Sequence, residues 1–180
     1  MHGRRTPVPS WYFDLGMIEK YWGSDRVYHH TAPISMIFAL RESLQMVFEE
    51  GLEPRFARHA RHRDALLAGV SALGLSPLVP PEHRLPMLTS VLVPGGIDEA
   101  AVRRRMLAVH NIEIGGGLGS LAGKVWRIGL MGHSSRPENV RAVLRALAES
   151  LGEAGRACDP REALAAADAV LNPGHPGDQP

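Results

Sequence analysis

Cysteine is almost absent from this 180-residue sequence, which contains only Cys158. A single cysteine excludes an internal disulfide framework and a cysteine-based zinc site. Charge of one sign is not in excess either, because 20 basic residues offset 19 acidic ones and leave a net charge of +1. Dedicated nucleic-acid-binding proteins usually have a marked basic excess, so the composition argues against nucleic acid as a partner.

Long hydrophobic runs are also lacking. The longest stretch without a charged residue, 65–81, contains three prolines and is too short to span a bilayer. The basic first residues, 1–5, are not followed by the apolar segment of a secretory signal. We therefore expect a soluble, cytoplasmic protein with no membrane partner. Lysine is scarce as well, since Lys20 and Lys124 are the two lysines among 20 basic residues.

The spacing of apolar residues predicts helices in the first part of the chain and a mixed α+β unit after them. Five aromatic residues lie within 11–22 without a clear period. Helical spacing predicts helices over 33–50, 54–73, 98–110, 137–151 and 161–171. Short strands are predicted at 75–79, 88–93, 112–114 and 125–130. The order β-β-α-β-β-α over 75–152 indicates a mostly antiparallel sheet covered by helices on one face.

The glycine-rich segment 115–124 has the composition of a phosphate-binding loop but not its spacing. A Walker motif requires glycine where Leu118 stands and serine or threonine where Val125 stands. A dinucleotide fingerprint requires a third glycine where Ser120 stands, followed by a helix instead of a strand. The segment is therefore predicted to be a mobile loop between strands.

Arg127 lies in the middle of an apolar predicted strand. A guanidinium that points inward needs a partner, because an unpaired buried charge is costly. One interpretation is a two-point clamp for a substrate carboxylate, with Gly129 leaving space beside it. The alternative is an exposed strand arginine or an internal salt bridge.

Two further polar segments each allow two interpretations. Tyr28 to Thr31 precede a predicted helix start, where hydroxyls and amides favour phosphate, but Thr31 could simply cap the helix. The adjacent histidines do not have the spacing of a metal site, and no metal is predicted. The basic run 55–63 is interpreted as a solvated helix face, because acidic residues flank it.

Seven segments, taken in order, resemble the C-terminal half of alanine–glyoxylate and serine–glyoxylate aminotransferases, which are class V pyridoxal-phosphate-dependent enzymes. The segments are Trp11-Tyr12-Phe13-Asp14, Tyr21-Trp22-Gly23, Tyr28-His29-His30-Thr31-Ala32-Pro33, Leu40-Arg41-Glu42-Ser43-Leu44, Arg84-Leu85-Pro86, 112–119 and 123–129. They extend from about Arg4 to Leu151. Seven ordered segments are far more specific than any one of them.

The resemblance implies a fold and a set of roles. The fold would be α/β of the type I aminotransferase kind, with a C-terminal α+β small domain preceded by a remnant of the large domain. Arg127 would bind the amino-acid carboxylate, and Tyr28 and Thr31 would contact the phosphate of pyridoxal 5'-phosphate in a partner subunit. A homodimer with small amino-acid and 2-oxo-acid substrates is implied, with amino transfer from alanine or serine to glyoxylate or pyruvate.

The chain departs from this family in one large respect. Family members are considerably longer, and their Schiff-base lysine precedes the matched region, so that neither Lys20 nor Lys124 can replace it. We therefore expect a C-terminal fragment with no catalytic residue of its own and no activity alone. Its expected segments are 1–50 from the large domain, 51–152 as the small domain, and 153–180 as an alanine-rich helical piece with a disordered tail.

Two other functions remain open at this point. The chain could be a catalytically dead dimerisation or regulatory module of the same fold. It could also derive from another class V enzyme such as a cysteine desulfurase, which needs a catalytic cysteine on a mobile loop. Cys158 lies beyond the matched region, so the sequence does not favour this second alternative.

Overall fold

The computed structural model describes residues 3–172, and the chain divides into two compact units, Met1–Glu49 and Glu50–Pro180. The described helices are α1 Leu15–Trp22, α2 Ile34–Glu50, α3 Leu52–Ala72, α4 Glu99–His110, α5 Pro137–Glu153 and α6 Pro160–Leu171. The strands are β1 Leu88–Leu92, β2 Gly115–Gly116 and β3 Val125–Gly129. No helix among residues 3–172 is both long enough and apolar enough to cross a membrane.

The N-terminal unit contains α1 and most of α2. Helix α1 was not predicted; it begins where the Asp14 carboxylate accepts hydrogen bonds from the amides of Gly16 and Met17. Helix α2 follows the predicted apolar spacing, yet none of its residues is buried. Its large side chains stay exposed, including Phe38 and Phe48, which are 65% and 80% exposed. An uncovered apolar surface of this kind is typical of an interface.

The C-terminal unit is built on an antiparallel sheet with strand order β1-β3-β2. Val91 of β1 lies opposite Trp126 of β3, and Thr89 lies opposite Ile128, so these four residues share one face. That face is buried. The sheet confirms the predicted antiparallel α+β arrangement.

Helices α3, α5 and α6 close the core of this unit. Their inward residues are fully or almost fully buried: Ala65, Leu66, Val70, Val140, Leu144, Leu147, Ala163 and Ala167. Small residues allow close approach, since a Cβ on Gly69 of α3 would lie 2.3 Å from a Leu144 methyl group. The predicted helix at 161–171 is therefore part of the core, whereas the predicted disorder after residue 172 lies outside the described residues.

Two predicted strands are wrong. Residues 75–79 form a single antiparallel bridge between Pro77 and Val91, flanked by hydrogen bonds from the amides of Leu78 and Leu92 to the carbonyl oxygens of Ser90 and Ser76, and the pairing extends no further. Residues 112–114 are not a strand; the pairing with β3 begins at Gly115 instead. The predicted mobile loop is thus partly ordered, as strand β2 and a 3-10 turn, Gly119–Leu121.

Candidate functional site

Arg127 occupies the middle strand of the sheet, with Ser90 of β1 on one side and Gly115 of β2 on the other. Its neighbours in sequence, Trp126 and Ile128, are buried in the core. Because side chains alternate along a strand, the Arg127 side chain leaves the sheet on the opposite face. It is half-buried there, so it is not the exposed strand arginine that the sequence left as an alternative.

The guanidinium of Arg127 is held by the backbone and has no carboxylate partner in the described part of the chain. Its Nε donates a 2.7 Å hydrogen bond to the carbonyl oxygen of Gly116. Over residues 3–172 no ion pair joins Arg127 to an aspartate or glutamate, which removes the internal salt bridge as an explanation. The two terminal nitrogens carry four further N–H groups, and a half-buried cation without an anion favours binding one.

The space beside this guanidinium was predicted at Gly129, but it lies at Gly115. A Cβ on Gly115 would lie 3.2 Å from a terminal nitrogen of Arg127. A Cβ on Gly129 would instead contact Met131, at an ordinary 3.6 Å. Glycine at position 115 therefore lets β2 pair beside the arginine without pushing its side chain aside.

The N-terminal unit carries the second candidate site, around Tyr28 and Thr31. The Tyr28 hydroxyl and Thr31 Oγ1 lie 3.1 Å apart and share a hydrogen bond. One of the two O–H groups donates within the pair, so the other remains free to donate to an external acceptor. Thr31 thus bonds to Tyr28 and not to an amide of α2, which argues against the simple capping role.

Two histidines between these hydroxyls form a chain of hydrogen bonds. His29 is buried, stacks on Trp11 at 4.2 Å, and its Nε2 lies 2.9 Å from the Trp11 carbonyl oxygen. A carbonyl can only accept, so Nε2 of His29 is the donor. In a neutral ring Nδ1 of His29 then accepts the bond from Nδ1 of His30, at 2.6 Å. The pair fixes the backbone between Tyr28 and Thr31.

The basic run on α3 is not a solvated face, which corrects the sequence-based interpretation. Arg58 donates to the carbonyl oxygens of Gly132 and Ser135, at 3.2 and 2.6 Å. His59 donates from Nδ1 to its own helix and accepts the amide of Gly132 at Nε2, at 3.1 Å. His62 is buried, with Nδ1 2.9 Å from the Ser135 hydroxyl. We call this set the α3 clasp; it holds the segment that follows β3.

Charges within the α3 clasp shift two pKa values. The hydrogen bond from Arg58, supported by Arg55, lowers the pKa of Glu50 to about 2. Burial and then the positive charge of Arg58 lower the pKa of His62. His62 is therefore neutral and Glu50 ionised at neutral pH, and Glu50 balances the positive charge of Arg58 through an ion pair.

The chain is similar to known proteins in sequence and in structure. No family model matches the chain. The (S)-ureidoglycine–glyoxylate transaminase of Bacillus subtilis is 50% identical over 141 residues, which are 78% of this chain and 34% of that protein. The alanine–glyoxylate aminotransferase of Felis catus is 39% identical over 160 residues, or 87% of this chain and 39% of that protein.

Solved structures similar to this chain are aminotransferases as well. The ureidoglycine–glyoxylate aminotransferase of Bacillus subtilis matches 95% of this chain with a TM-score of 0.90 and 45% identity. The pyridoxamine–pyruvate aminotransferase of Mesorhizobium loti matches 86% with a TM-score of 0.79 and 35% identity. The chain is a homologue of the C-terminal part of class V aminotransferases. It spans 44% and 40% of these two structures, so it corresponds to less than half of each.

Aminotransferases of this class depend on pyridoxal phosphate, and the residues described here fit part of that cofactor. The free hydroxyl hydrogen of the Tyr28–Thr31 pair suits a phosphate oxygen. Neither lysine suits covalent attachment, because Lys20 and Lys124 are both exposed to solvent. An exposed lysine lacks the burial that makes such an amine an effective nucleophile.

Sequence reasoning missed several residues around these sites. Gly116 holds Arg127 through a carbonyl group, and no side chain signals such a role. Glu99 and Arg103 lie against Gly116 but belong to a helix with ordinary surface composition. Trp11 supports His29 from 18 residues away. The aromatic cluster was visible in the sequence, and it is the one signal that could have suggested this support.

Proposed function

We propose that this chain supplies the substrate-carboxylate and cofactor-phosphate contacts of an aminotransferase that transfers an amino group from a small amino acid, such as alanine or serine, to glyoxylate or pyruvate. The observation that carries the proposal is Arg127, a half-buried guanidinium with no carboxylate partner in the described chain. The acceptors named for the relatives, glyoxylate and pyruvate, support it because both are 2-oxo acids with a carboxylate.

Arg127 would bind the substrate carboxylate through its two terminal nitrogens. Nε is engaged by Gly116, so the guanidinium plane is fixed before the substrate arrives. Two parallel N–H···O bonds then fix both carboxylate oxygens and hence the direction of the adjacent carbon. This orientation of the reacting carbon is the contribution of the residue to catalysis.

Tyr28 and Thr31 would hold the phosphate of the cofactor. Their shared hydrogen bond leaves one hydroxyl hydrogen for a phosphate oxygen, while the histidine pair keeps the segment in place. Pyridoxal phosphate, when bound, supplies the electron sink for the reacting carbon. The residues of this chain position that cofactor and the substrate but leave the proton transfer to a residue outside it.

The chain alone is proposed to be inactive. Covalent attachment of the cofactor needs a lysine whose pKa is lowered by burial or by a neighbouring charge. Lys20 and Lys124 are exposed to solvent and therefore lack the burial that activates such a lysine. Self-association as a homodimer is proposed as well, because α2 leaves Phe38, Phe48 and its other large apolar side chains uncovered.

The carboxylate role is tested by titrating the 180-residue chain with glyoxylate and with pyruvate. Arg127→Lys keeps the charge but loses the two-point fork, so binding should weaken by about 1.5–3 kcal/mol, the range for charge-assisted hydrogen bonds. Arg145→Lys, at an exposed position of α5, is the matched control and should bind as the wild type does. Equal affinity in Arg127→Lys, or no binding by the wild type, contradicts the proposal.

A further inference from the structure

Strand β2 needs support from outside, because it consists of two glycines. Gly115 and Gly116 pair with Arg127 and Trp126 but contribute no side chains to the sheet. Glycine also loses more conformational freedom on ordering than any other residue. The Gly116 carbonyl nevertheless accepts the Nε–H of Arg127 at 2.7 Å. The direction of the guanidinium therefore depends on whatever keeps Gly116 in place.

An ion pair on α4 packs directly against Gly116. Glu99 is the first residue of the helix, is 7% exposed, and is bonded to the Arg103 guanidinium one turn later. A Cβ on Gly116 would lie 3.0 Å from Glu99 Oε1 and 3.2 Å from Arg103 Nε. The pair thus fills the volume that a side chain at position 116 would take.

Glu99 also reaches the other neighbour of Arg127. Its backbone carbonyl oxygen accepts a 3.2 Å hydrogen bond from the indole nitrogen of the buried Trp126. One residue of α4 therefore contacts both Gly116, which binds Arg127, and Trp126, which precedes it in β3. The hydrogen bond to Glu99 raises the pKa of Arg103, so the guanidinium keeps its charge.

We infer that the Glu99–Arg103 pair is the positioning device that sets the direction of Arg127 for its carboxylate. Glu99 is buried and Arg103 is partly exposed. Neither an exposed nor a buried ion pair adds much net stability, so stability alone does not account for this pair. Neither residue touches the substrate; both act through Gly116. The purpose of this positioning rests on the proposed carboxylate role of Arg127, but the orientation of the guanidinium can be measured without any substrate.

The first measurement is the exchange with water of the Arg127 Nε–H hydrogen, followed by NMR on the full 180-residue chain without ligand. Loss of the signal in Arg127→Lys assigns it. Glu99→Gln keeps the shape of the side chain and removes its charge, and Arg103→Lys keeps the charge and removes the fork. In both variants we expect exchange about 10-fold faster, the change that corresponds to loss of one ordinary hydrogen bond.

The second measurement is the affinity for glyoxylate in the same variants. We expect it to weaken by roughly 3- to 10-fold in Glu99→Gln and Arg103→Lys, with little change in melting temperature for Arg103→Lys because Arg103 is 35% exposed. Arg104→Lys, the next residue on α4 and 70% exposed, is the control and should leave both measurements unchanged.

The outcomes separate the two hypotheses. Exchange of the Arg127 Nε–H at the wild-type rate in both variants overturns the positioning role, whatever the affinity for glyoxylate. Faster exchange in both variants, together with no glyoxylate binding by the wild type, supports the positioning of Arg127 and refutes its proposed carboxylate role. A weaker glyoxylate affinity with unchanged Nε–H exchange also counts against the positioning device, since the effect would then not pass through Gly116.

Discussion

Replacement of Gly69 by alanine tests the packing of α3 against α5 and α6 with a single methyl group. The new Cβ would lie 2.3 and 2.7 Å from the two methyl groups of Leu144 and 3.0 Å from the carbonyl oxygen of Ala163. Leu144 is fully buried and cannot rotate into solvent, and the carbonyl belongs to the α6 backbone. The helices must therefore move apart to admit the methyl group.

Two opposing effects set the size of the change. Alanine is favoured over glycine inside a helix by about 1 kcal/mol. Overpacking of a close-packed core costs about 1–3 kcal/mol, and here two side-chain methyl groups and a backbone oxygen all have to give way. Because three groups must give way, we expect a cost in the upper part of that range, about 2–3 kcal/mol, and hence a net loss of about 1–2 kcal/mol and a melting temperature lower by roughly 2–8 °C.

Gly152→Ala is the matched control, since it makes the same chemical change in another helix of the unit. Nothing lies within 4 Å of a Cβ at Gly152, near the end of α5. Alanine there should stabilise the chain by about 0.4–1 kcal/mol. Thermal unfolding followed by circular dichroism gives both values. A Gly69→Ala variant as stable as the wild type, or shifted in the same direction as Gly152→Ala, would refute the packing argument.

Three further predictions follow from the sites. Burial lowers the pKa of His62, so near pH 6 the unfolded chain binds more protons than the folded chain. Urea titrations should therefore show the free energy of unfolding decreasing from pH 7 to pH 5, and decreasing less in His62→Gln. Gly115→Ala should weaken glyoxylate binding about 10-fold by displacing Arg127, with unfolding still cooperative, whereas unchanged binding would show that the close approach is unimportant. The wild-type chain should self-associate in light scattering at micromolar concentrations, and Phe48→Glu should reduce the association; a monomeric wild type would contradict the interface.

The regular elements with strong local signals were predictable. The apolar period of α5 and the capping carboxylate of Asp98 at the start of α4 gave correct helices. The apolar run around Trp126 gave β3. These signals are local in the sequence, so the helices and the strand can be predicted without knowledge of tertiary contacts.

The rest depends on contacts between distant residues. Strand β2 consists of two glycines, which have little propensity for a strand. It forms because Arg127 pairs beside it and because Glu99 and Arg103 pack behind it. The α3 clasp joins residues 73–77 positions apart, such as His62 and Ser135, so its basic run looked like an ordinary exposed surface. Arg127 could be singled out from its apolar surroundings, but the carbonyl that directs it could not.

The most direct test of the central claim is to add pyridoxal phosphate to the purified chain, record its visible absorbance, and assay alanine with glyoxylate. We propose that this chain contributes substrate and cofactor contacts without the lysine that attaches the cofactor. We therefore expect no stoichiometric band of lysine-bound cofactor and no turnover, because Lys20 and Lys124 are exposed. A stoichiometric band with turnover that disappears in Lys20→Ala or Lys124→Ala would contradict it and identify that lysine as the attachment site.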